Sequence, residues 1–273
     1  LYYSLKSLEE ILFNLKGKVA LVTGVGSPTG IGFASAKLLA KAGAKIFITS
    51  TTKRILEREK ELKSLFGNDN ISSLEANLTD ENQVLNLSKI IIKKFNQIDI
   101  LVNNAGMVQI GNDQPSKKFI EHSLESWNYG IDINLKSTFL VTRYILPYLK
   151  KQKFGRIINI SSVTGPIVGI SGSTVYGSAK AAMLGLTRSL AIEEGKNGIT
   201  VNCVGPGWIK TGSSSEEEIT AGQFTPIGRP GFPEEIGHTV VFLASKEASY
   251  ITGQIIFVDG GNTIQEYKVE LGR

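Results

Sequence analysis

Seven short runs of apolar residues, rich in Val and Ile, alternate along the chain with segments of helical periodicity. The apolar runs span 18–24, 44–50, 70–77, 98–106, 155–162, 198–207 and 253–261. The helical segments span 30–42, 52–66, 80–96, 124–152, 174–196 and 233–246. Strands that are apolar throughout, each followed by a helix, are typical of a parallel sheet buried on both faces. The sequence therefore predicts an α/β chain: a doubly wound Rossmann fold with a seven-stranded parallel sheet and helices on both faces.

The alternation continues without a linker, which predicts a single Rossmann-type domain over residues 17–273. Residues 1–16 carry leucine and isoleucine at helical spacing, which predicts a short amphipathic arm that packs on its own body or on a neighbouring subunit. A polar segment at 213–224 follows the sixth run. It comes after the carboxyl end of a strand, where open α/β sheets bind ligands.

The composition argues against several functional classes. The 30 Lys and Arg and the 25 Asp and Glu are interspersed, and no basic run is dense enough for a nucleic-acid site. Cys203 is the one cysteine, which excludes an internal disulfide and favours a reducing compartment, so we expect a cytoplasmic protein. His122 and His238 are isolated, so no metal site is predicted. The chain has no run of 18 apolar residues, so no membrane span is predicted either.

The turn after the first apolar run is rich in glycine and unusually long. Its glycines do not match Gly-x-Gly-x-x-Gly spacing, yet the following helix still begins at a glycine, so its first amides can face a pyrophosphate. The candidate contacts of a dinucleotide in this turn are Gly24, Gly26, Gly30, Ile31 and Gly32. We expect Ser27 and Pro28 to loop outward while Gly26 lets the backbone approach the ligand.

The turn after the second apolar run predicts which dinucleotide is bound. An acidic residue there would bond a ribose 2′-hydroxyl and repel a 2′-phosphate. Ser50 stands in its place, and Thr51, Lys53 and Arg54 supply donors and positive charge. This favours NADP(H) over NAD(H), because a phosphate is best bound by Arg or Lys. The alternative is that the two cations are ordinary solvated residues at a helix start.

The segment "VYGSAK" places Tyr176 and Lys180 on one face of a helix. A free tyrosine has a pKa of about 10, and lowering it to neutrality takes about 4 kcal/mol. One ammonium at about 4 Å and an effective dielectric of about 20 supplies that energy. The pair alone is therefore predicted to act as a general acid/base on a carbonyl or an alcohol. The alternative is a chance pairing of two helix residues.

Two further polar residues stand where apolar ones are expected. Ser162 ends the fifth strand, from which its hydroxyl can reach a substrate carbonyl. Asn134 interrupts a long apolar helix, and a buried amide needs hydrogen-bond partners. It either kinks the helix around a water or belongs to a water-linked proton relay to the lysine.

Taken in order, these features resemble the short-chain dehydrogenase/reductase family. The shared features are the Thr-Gly…Gly-Ile-Gly turn, "NNAG" at 103–106, Asn134, Ser162, the Tyr-x-x-x-Lys pair and Pro-Gly at 206–207. The resemblance covers residues 15–265, and the segment 226–261 is most similar to the 3-oxoacyl-(acyl-carrier-protein) reductases of the family. Sugar, polyol and steroid dehydrogenases share much of that segment.

The resemblance implies four catalytic roles. Tyr176 is the acid/base, and Lys180 lowers its pKa and holds the nicotinamide ribose. Ser162 polarises the carbonyl, and Asn134 positions a relay water. The resemblance implies an oxidoreductase domain that transfers a hydride between a nicotinamide and a carbonyl carbon.

The resemblance also implies the cofactor contacts. Asn77 and Leu78 would flank the adenine, Ile209 would meet the carboxamide, and Thr211 the phosphates. The other implied contacts are Asn104, Ala105, Gly106, Pro206 and Gly207, together with Tyr176 and Lys180.

The expected reaction is reduction of a ketone by NADPH, with a 3-oxoacyl thioester as the first substrate to consider. The alternatives are a dehydrogenase of a sugar, polyol or other small secondary alcohol, and a catalytically silent nucleotide-binding protein. A silent protein would be expected to lose part of the catalytic set, and all four positions are filled.

The chain departs from the family pattern in its glycine turn, in its Ser162–Tyr176 spacing and in the segment 107–123, and the last two bear on the substrate. The segment 107–123 is longer than usual and is predicted to edge the substrate cleft. The glycine turn is two residues longer than usual, as in the related enoyl-thioester reductases. Those enzymes place six residues between tyrosine and lysine, and Met183 occupies that lysine position here, so we reject enoyl reduction. The Ser162–Tyr176 spacing is also one residue longer than expected for the acyl-carrier-protein reductases.

An acyl-carrier protein is acidic, so a partner of this kind would dock on a basic face. The candidate docking residues are Lys150, Lys151, Lys153, Arg156 and Arg188. The alternative is an ordinary solvated basic helix end. The resemblance also implies a homotetramer, with the helices at 124–152 and 174–196 and the last strand at the interfaces.

Overall fold

All seven predicted strands form, and they pair into one parallel sheet. The structure is a computed structural model that describes residues 12–106 and 117–266. The strands are β1 (Val19–Thr23), β2 (Lys45–Ser50), β3 (Ile71–Glu75), β4 (Ile100–Asn103), β5 (Gly155–Ile160), β6 (Ile199–Pro206) and β7 (Ile255–Val258). Their order across the sheet is β3-β2-β1-β4-β5-β6-β7, which confirms the predicted doubly wound fold.

The strand order reverses in the middle of the sheet. From β1 the chain moves outward to β3, then returns to place β4 on the other side of β1. The connections therefore diverge between β1 and β4. Their carboxyl ends open a crevice, which is where folds of this kind bind ligands.

Helices cover both faces of the sheet. Those in the described residues are α1 (Ile31–Lys41), α2 (Arg54–Phe66), α3 (Glu81–Phe95), α4 (Leu124–Ile131), α5 (Ser137–Gln152), α6 (Thr174–Glu194), α7 (Glu216–Gln223) and α8 (Pro233–Ala244). Helices α1, α2 and α8 share one core with the sheet, and α3, α5 and α6 share the other. Within the two described ranges, no helix is both long and apolar enough to cross a membrane.

Neighbouring residues of each strand serve opposite faces of the sheet. In β1, Ala20 and Val22 belong to the core under α1, whereas Leu21 belongs to the core under α3 and α5. Both faces are therefore dry, which explains why the strands are apolar throughout. Each fully buried Leu or Ile contributes about 1.5–3 kcal/mol to the hydrophobic free energy of folding.

The helix predicted over 124–152 forms, but it contains a π-turn. A π-turn at Asp132–Lys136 separates α4 from α5. Within it, Asn134 Nδ2 donates to the carbonyl of Gly130 at 3.0 Å, and Ser137 Oγ donates to that of Ile133 at 2.8 Å. Side-chain donors of this kind compete with the helical backbone ladder. The π-turn itself was not predicted, because periodicity does not report a single extra residue in one turn.

The polar segment at 213–224 contains the short helix α7, which the sequence analysis missed. Ser215 Oγ accepts from the Glu218 N–H at 3.2 Å, and the Ser215 N–H donates to Glu218 Oε2 at 3.0 Å. This is a capping box, and Ser-x-x-Glu was its signal in the sequence.

The described end of the predicted N-terminal arm packs on the body. Leu15 is buried in the core, and its N–H donates to the carbonyl of Ala42 at 2.8 Å. The ring of Phe13 meets that of Phe242 edge to face, 5.7 Å between centroids. Residues 1–11 of the predicted arm lie outside the described residues.

Candidate active site

A cleft of about 990 Å³ lies along the carboxyl ends of the strands. It is bordered by the turns after β1 and β4, the segment after β5, the segment after β6 and the helix α7. The four predicted catalytic residues all line it: Asn134, Ser162, Tyr176 and Lys180. Its volume is in the range of cofactor and substrate sites.

Asn104 and Thr23 hold the glycine turn against the end of β4. Asn104 Nδ2 donates to the carbonyls of Thr23 at 2.9 Å and of Gly24 at 3.1 Å. Thr23 Oγ1 accepts from the N–H groups of Asn104 at 3.0 Å and of Ala105 at 2.9 Å. A Cβ at Gly32 would lie 2.5 Å from Asn104 Nδ2, so a larger residue does not fit there. The "NNAG" segment therefore acts by fixing the turn.

Ser162, Tyr176 and Lys180 meet at one end of the cleft. Ser162 Oγ accepts from the Thr164 N–H at 3.0 Å and is hydrogen-bonded to Tyr176. Lys180 is 3% exposed, and its Nζ donates to the carbonyl of Ile160 at 2.9 Å. The same Nζ lies 5.5 Å from the centre of the Tyr176 ring. A carbonyl oxygen placed between Ser162 and Tyr176 would meet two hydroxyl donors.

Burial sets the ionisation of this pair. It raises the pKa of Tyr176 above its ordinary value; the hydrogen bond with Ser162 lowers that pKa, and the charge of Glu218 adds to the rise. Burial also lowers the pKa of Lys180 to about 8.

We expected Lys180 alone to bring the pKa of Tyr176 near neutrality. For the chain without its cofactor, that expectation is wrong. That calculation counted the attraction of the ammonium but omitted the cost of removing a phenolate and an ammonium from water. Tyr176 is consequently protonated at neutral pH, which suits a proton donor better than a proton acceptor.

Asn134 and Lys180 converge on Gly106. A Cβ at Gly106 would lie 2.8 Å from Asn134 Oδ1 and 3.2 Å from Lys180 Nζ. Glycine leaves the space that both polar groups border. A water-linked relay between them requires this juxtaposition, and the relay itself stays a prediction.

The other end of the cleft lies beside β2. Thr51 and Arg54 line it, as does Ser50, whose Oγ donates to the carbonyl of Thr52 at 3.1 Å. Arg54 Nε donates to Thr52 Oγ1 at 3.4 Å. Lys53 is exposed and is not among the residues that line the cleft. Of the two predicted cations, the structure thus brings only Arg54 to the site.

Leu78 lines the cleft near the end of β3, whereas Asn77 does not. The carboxamide oxygen of Asn77 accepts from the Thr79 N–H at 3.1 Å and from its hydroxyl at 2.9 Å. This residue shapes the turn rather than the cleft wall. The remaining predicted cofactor residues all line the cleft: Gly24, Gly26, Gly30, Ile31, Gly32, Asn104, Ala105, Gly106, Pro206, Gly207, Ile209 and Thr211.

Comparison with known proteins agrees with this geometry. A family model described as enoyl-(acyl-carrier-protein) reductase matches residues 24–263. The 3-oxoacyl-(acyl-carrier-protein) reductase of Thermotoga maritima is 38% identical, over 92% of this chain and 99% of that protein. Its counterpart from Aquifex aeolicus is 41% identical, over 90% and 98%. A solved structure of a Serratia marcescens short-chain dehydrogenase/reductase mutant matches with a TM-score of 0.80 at 32% identity, over 91% and 99%.

The chain belongs to the short-chain dehydrogenase/reductase family. A second solved structure, of an Agrobacterium tumefaciens protein provisionally classed as a gluconate dehydrogenase, matches with a TM-score of 0.84 at 33% identity. It covers 93% of this chain and 99% of that protein. The expected family is thus confirmed, and the chain is an oxidoreductase.

Short-chain dehydrogenases use a nicotinamide dinucleotide, and the residues present fit that group. The first turn of α1 has no acidic residue, and its cap Gly30 offers no side chain to its N–H groups. Those N–H groups are available to phosphate oxygens at the wall of the cleft. Ser50 leaves the end of β2 without a carboxylate, and Arg54 lies beside it.

Sequence analysis missed most of the wall at the substrate end of this short-chain dehydrogenase. The missed residues are His122, Ile170, Trp208, Glu218 and Phe224. They come from loops and from α7, so no periodic pattern marks them. Trp208 carried a signal because it follows the carboxyl end of a strand, and Glu218 and Phe224 fall in the polar segment 213–224 that the sequence placed at a ligand-binding edge.

Buried amides and hydroxyls connect the strands beneath the catalytic residues. Asn103 Nδ2 donates to Thr142 Oγ1 at 3.0 Å and to Asn159 Oδ1 at 2.8 Å. Asn159 Nδ2 donates to Thr187 Oγ1 at 2.8 Å. This network ties β4 and β5 to α5 and α6, and so fixes the helix that carries Tyr176.

The prediction that Arg156 belongs to a docking face is wrong. Arg156 is 4% exposed; its Nε donates to the carbonyl of Ser245 at 3.1 Å and its Nη1 to that of Gly155 at 2.8 Å. A buried guanidinium cannot meet a partner protein. Lys150 is paired with Glu194 at 3.1 Å.

Proposed function

We propose that this chain reduces the ketone of a 3-oxoacyl thioester, carried on acyl-carrier protein, with NADPH as the hydride donor. The observation that carries the proposal is the meeting of Ser162, protonated Tyr176 and Lys180 in one cleft. Relatives named 3-oxoacyl-(acyl-carrier-protein) reductases, 38–41% identical over nine-tenths of the chain, support the substrate class.

The roles of the residues follow from their contacts. Ser162 and Tyr176 donate hydrogen bonds to the ketone oxygen, which polarises the carbonyl. When bound, the nicotinamide supplies a hydride to the carbonyl carbon. Tyr176 gives its proton to the oxygen as charge develops there, and the product is a secondary alcohol. Lys180 orients the cofactor ribose and steadies the tyrosinate that remains.

The description of the matching family model raises enoyl reduction as a rival. That reaction needs a lysine at the position of Met183, by the spacing of the enoyl reductases. Met183 is fully buried and does not line the cleft. The lysine that reaches the cleft is Lys180, so we favour ketone reduction.

We propose an acyl-carrier-protein partner and a homotetramer together, because docking on the basic residues requires a second subunit. Lys151, Lys153 and Arg188 are exposed and basic. Lys153 lies two residues before β5, at the amino edge of the sheet and opposite the cleft of its own chain. A carrier protein docked there reaches a cleft only across a subunit interface. Exposed Phe139 on α5 and Ile192 on α6 are apolar surfaces that such an interface would cover.

The test follows the near-ultraviolet absorbance of NADPH, with NADH in parallel, during incubation with an acetoacetyl thioester. We expect turnover with NADPH, little with NADH, and a lower KM for the carrier-bound than for the small thioester. Crotonyl thioester, which has a double bond and no ketone, is the matched control and should not be reduced.

Three outcomes would contradict the proposal. Turnover of crotonyl thioester would favour enoyl reduction. Oxidation of gluconate with no thioester reduction would favour a sugar dehydrogenase, the activity class of the Agrobacterium protein. Preference for NADH would show that the residues after β2 were misinterpreted.

A further inference from the structure

The two extra residues of the glycine turn lie against a second loop of the cleft. They fall in the stretch from Ser27 to Thr29, between β1 and α1. Ser27 lines the cleft, and Thr29 is exposed at its edge. The hydroxyls of these two residues lie 3.5 Å apart.

Gly212, on the loop after β6, lies against Ser27 and Thr29. A Cβ at Gly212 would lie 2.7 Å from Thr29 Oγ1 and 3.6 Å from Ser27 Oγ. The loop and the turn therefore touch, and they do so closely enough that only glycine fits without movement.

The loop is held in place by its own hydrogen bonds. Ser214 Oγ donates to the carbonyl of Ile209 at 2.9 Å and accepts from the Thr211 N–H at 3.0 Å. Thr211 Oγ1 lies 3.0 Å from Ser213 Oγ. A loop stiffened in this way presents Gly212 to the turn as a fixed surface.

The contact joins the turn before α1 to the loop after β6 at the wall of the cleft. The amino end of α1 is where the phosphates of a dinucleotide are expected, and both the turn and the loop line the cleft there. The contact between Thr29 and Gly212 therefore hinders the release of a bound dinucleotide.

We propose that Ser27, Thr29 and Gly212 form a latch that retains the dinucleotide by closing over its phosphates. The proposal rests on the dinucleotide cofactor and not on the identity of the ketone substrate. Because the phosphates are common to NADPH and NADH, the latch retains both equally. The 2′-phosphate contact proposed for Arg54 acts on NADPH alone, so the two effects are separable.

The experiment measures how fast reduced cofactor leaves the full chain, without substrate. NADPH or NADH is bound, an excess of oxidised cofactor is added, and the loss of nicotinamide fluorescence gives the release rate. Deletion of Ser27 and Pro28 should speed the release of both by about tenfold, since it removes the Ser27 side chain and shortens the turn that holds Thr29 against Gly212. Thr29→Gly keeps the turn length and should speed both by about threefold. Pro28→Ala is the control, because Pro28 is exposed and does not line the cleft.

Two results would overturn the latch. One is an unchanged release rate in both the deletion and Thr29→Gly, with melting temperatures that show both variants folded. The other is faster release of NADPH alone, which would assign the extra residues to the 2′-phosphate site. In either case wild-type reduction of the thioester is unaffected, so the proposed function would stand.

Discussion

The catalytic end of the cleft is buried and bonded to the sheet, whereas the end beside β2 is open to solvent. Lys180 and Asn134 are each 3% exposed, and their polar atoms bond backbone carbonyls. Thr51 and Arg54 are exposed, and Arg54 makes one long bond, to Thr52. The fold therefore dictates where the catalytic groups stand. The charged groups at the other end gain a fixed position only when a ligand pairs with them, so changes there alter selectivity rather than chemistry.

The largest effect is expected at Tyr176. Tyr176→Phe removes the proton donor but keeps the ring that packs beside Lys180. We expect kcat to fall by about a thousandfold, within the range of general acid catalysis, with cofactor affinity unchanged. Absorbance assays give kcat, and nicotinamide fluorescence gives affinity. Tyr250→Phe is the matched control, because its side chain is fully exposed and outside the cleft.

Loss of cofactor binding in Tyr176→Phe would mean that the tyrosine builds the site instead of reacting in it. Unchanged turnover would mean that a group other than Tyr176 donates the proton. Either result would break the contrast between a catalytic end and a selective end.

A smaller and more selective effect is expected at Arg54. Arg54→Ala should weaken NADPH binding about tenfold and leave NADH binding unchanged, because a hydrogen bond to a charged phosphate contributes about 1.5–3 kcal/mol. Lys53→Ala removes the same charge one residue earlier from a side chain that does not line the cleft, and we expect little change. Fluorescence titration of both cofactors against both variants measures this. Equal losses for NADPH and NADH in Arg54→Ala would contradict a 2′-phosphate role.

The same contrast explains what the sequence could predict. Strand positions and Ser162, Tyr176 and Lys180 were predictable because each is tied to a periodic element or to a strand end. Lys53 was predicted as a contact from its charge, and Asn77 from the family resemblance. The orientation of both depends on turn geometry that no pattern reports. The π-turn at Asn134 changes the register by one residue, below the resolution of periodicity.

The pKa of Tyr176 was predicted in the wrong direction for a related reason. Sequence spacing gives the nearness of Lys180 but not the burial of either group. Sequence spacing also does not place Glu218 at the site, because Glu218 lies 42 positions after Tyr176 and reaches the cleft through α7. Electrostatics at a site depends on tertiary packing, which a local motif does not contain.

The smallest effect is expected at Glu218, where α7 adds a negative charge to the catalytic end. Tyr176 must be protonated to donate in reduction, so reduction declines as pH rises through its pKa. The charge of Glu218 raises that pKa, and so Glu218→Gln should lower it. The basic limb of kcat/KM for reduction, measured across pH, should therefore move to lower pH.

Glu217→Gln is the control for this shift. It removes an equal charge from the same turn of α7, on a side chain that is exposed and does not line the cleft. Glutamine at 218 can still accept from the Ser215 N–H, so the helix start is preserved. The other titratable groups at this end, Lys180 and His122, are the same in both variants and cancel in the comparison. Equal shifts in the two variants would mean that the net charge of α7 acts at long range. A shift in Glu218→Gln alone would show that a residue on an exposed helix tunes a buried acid.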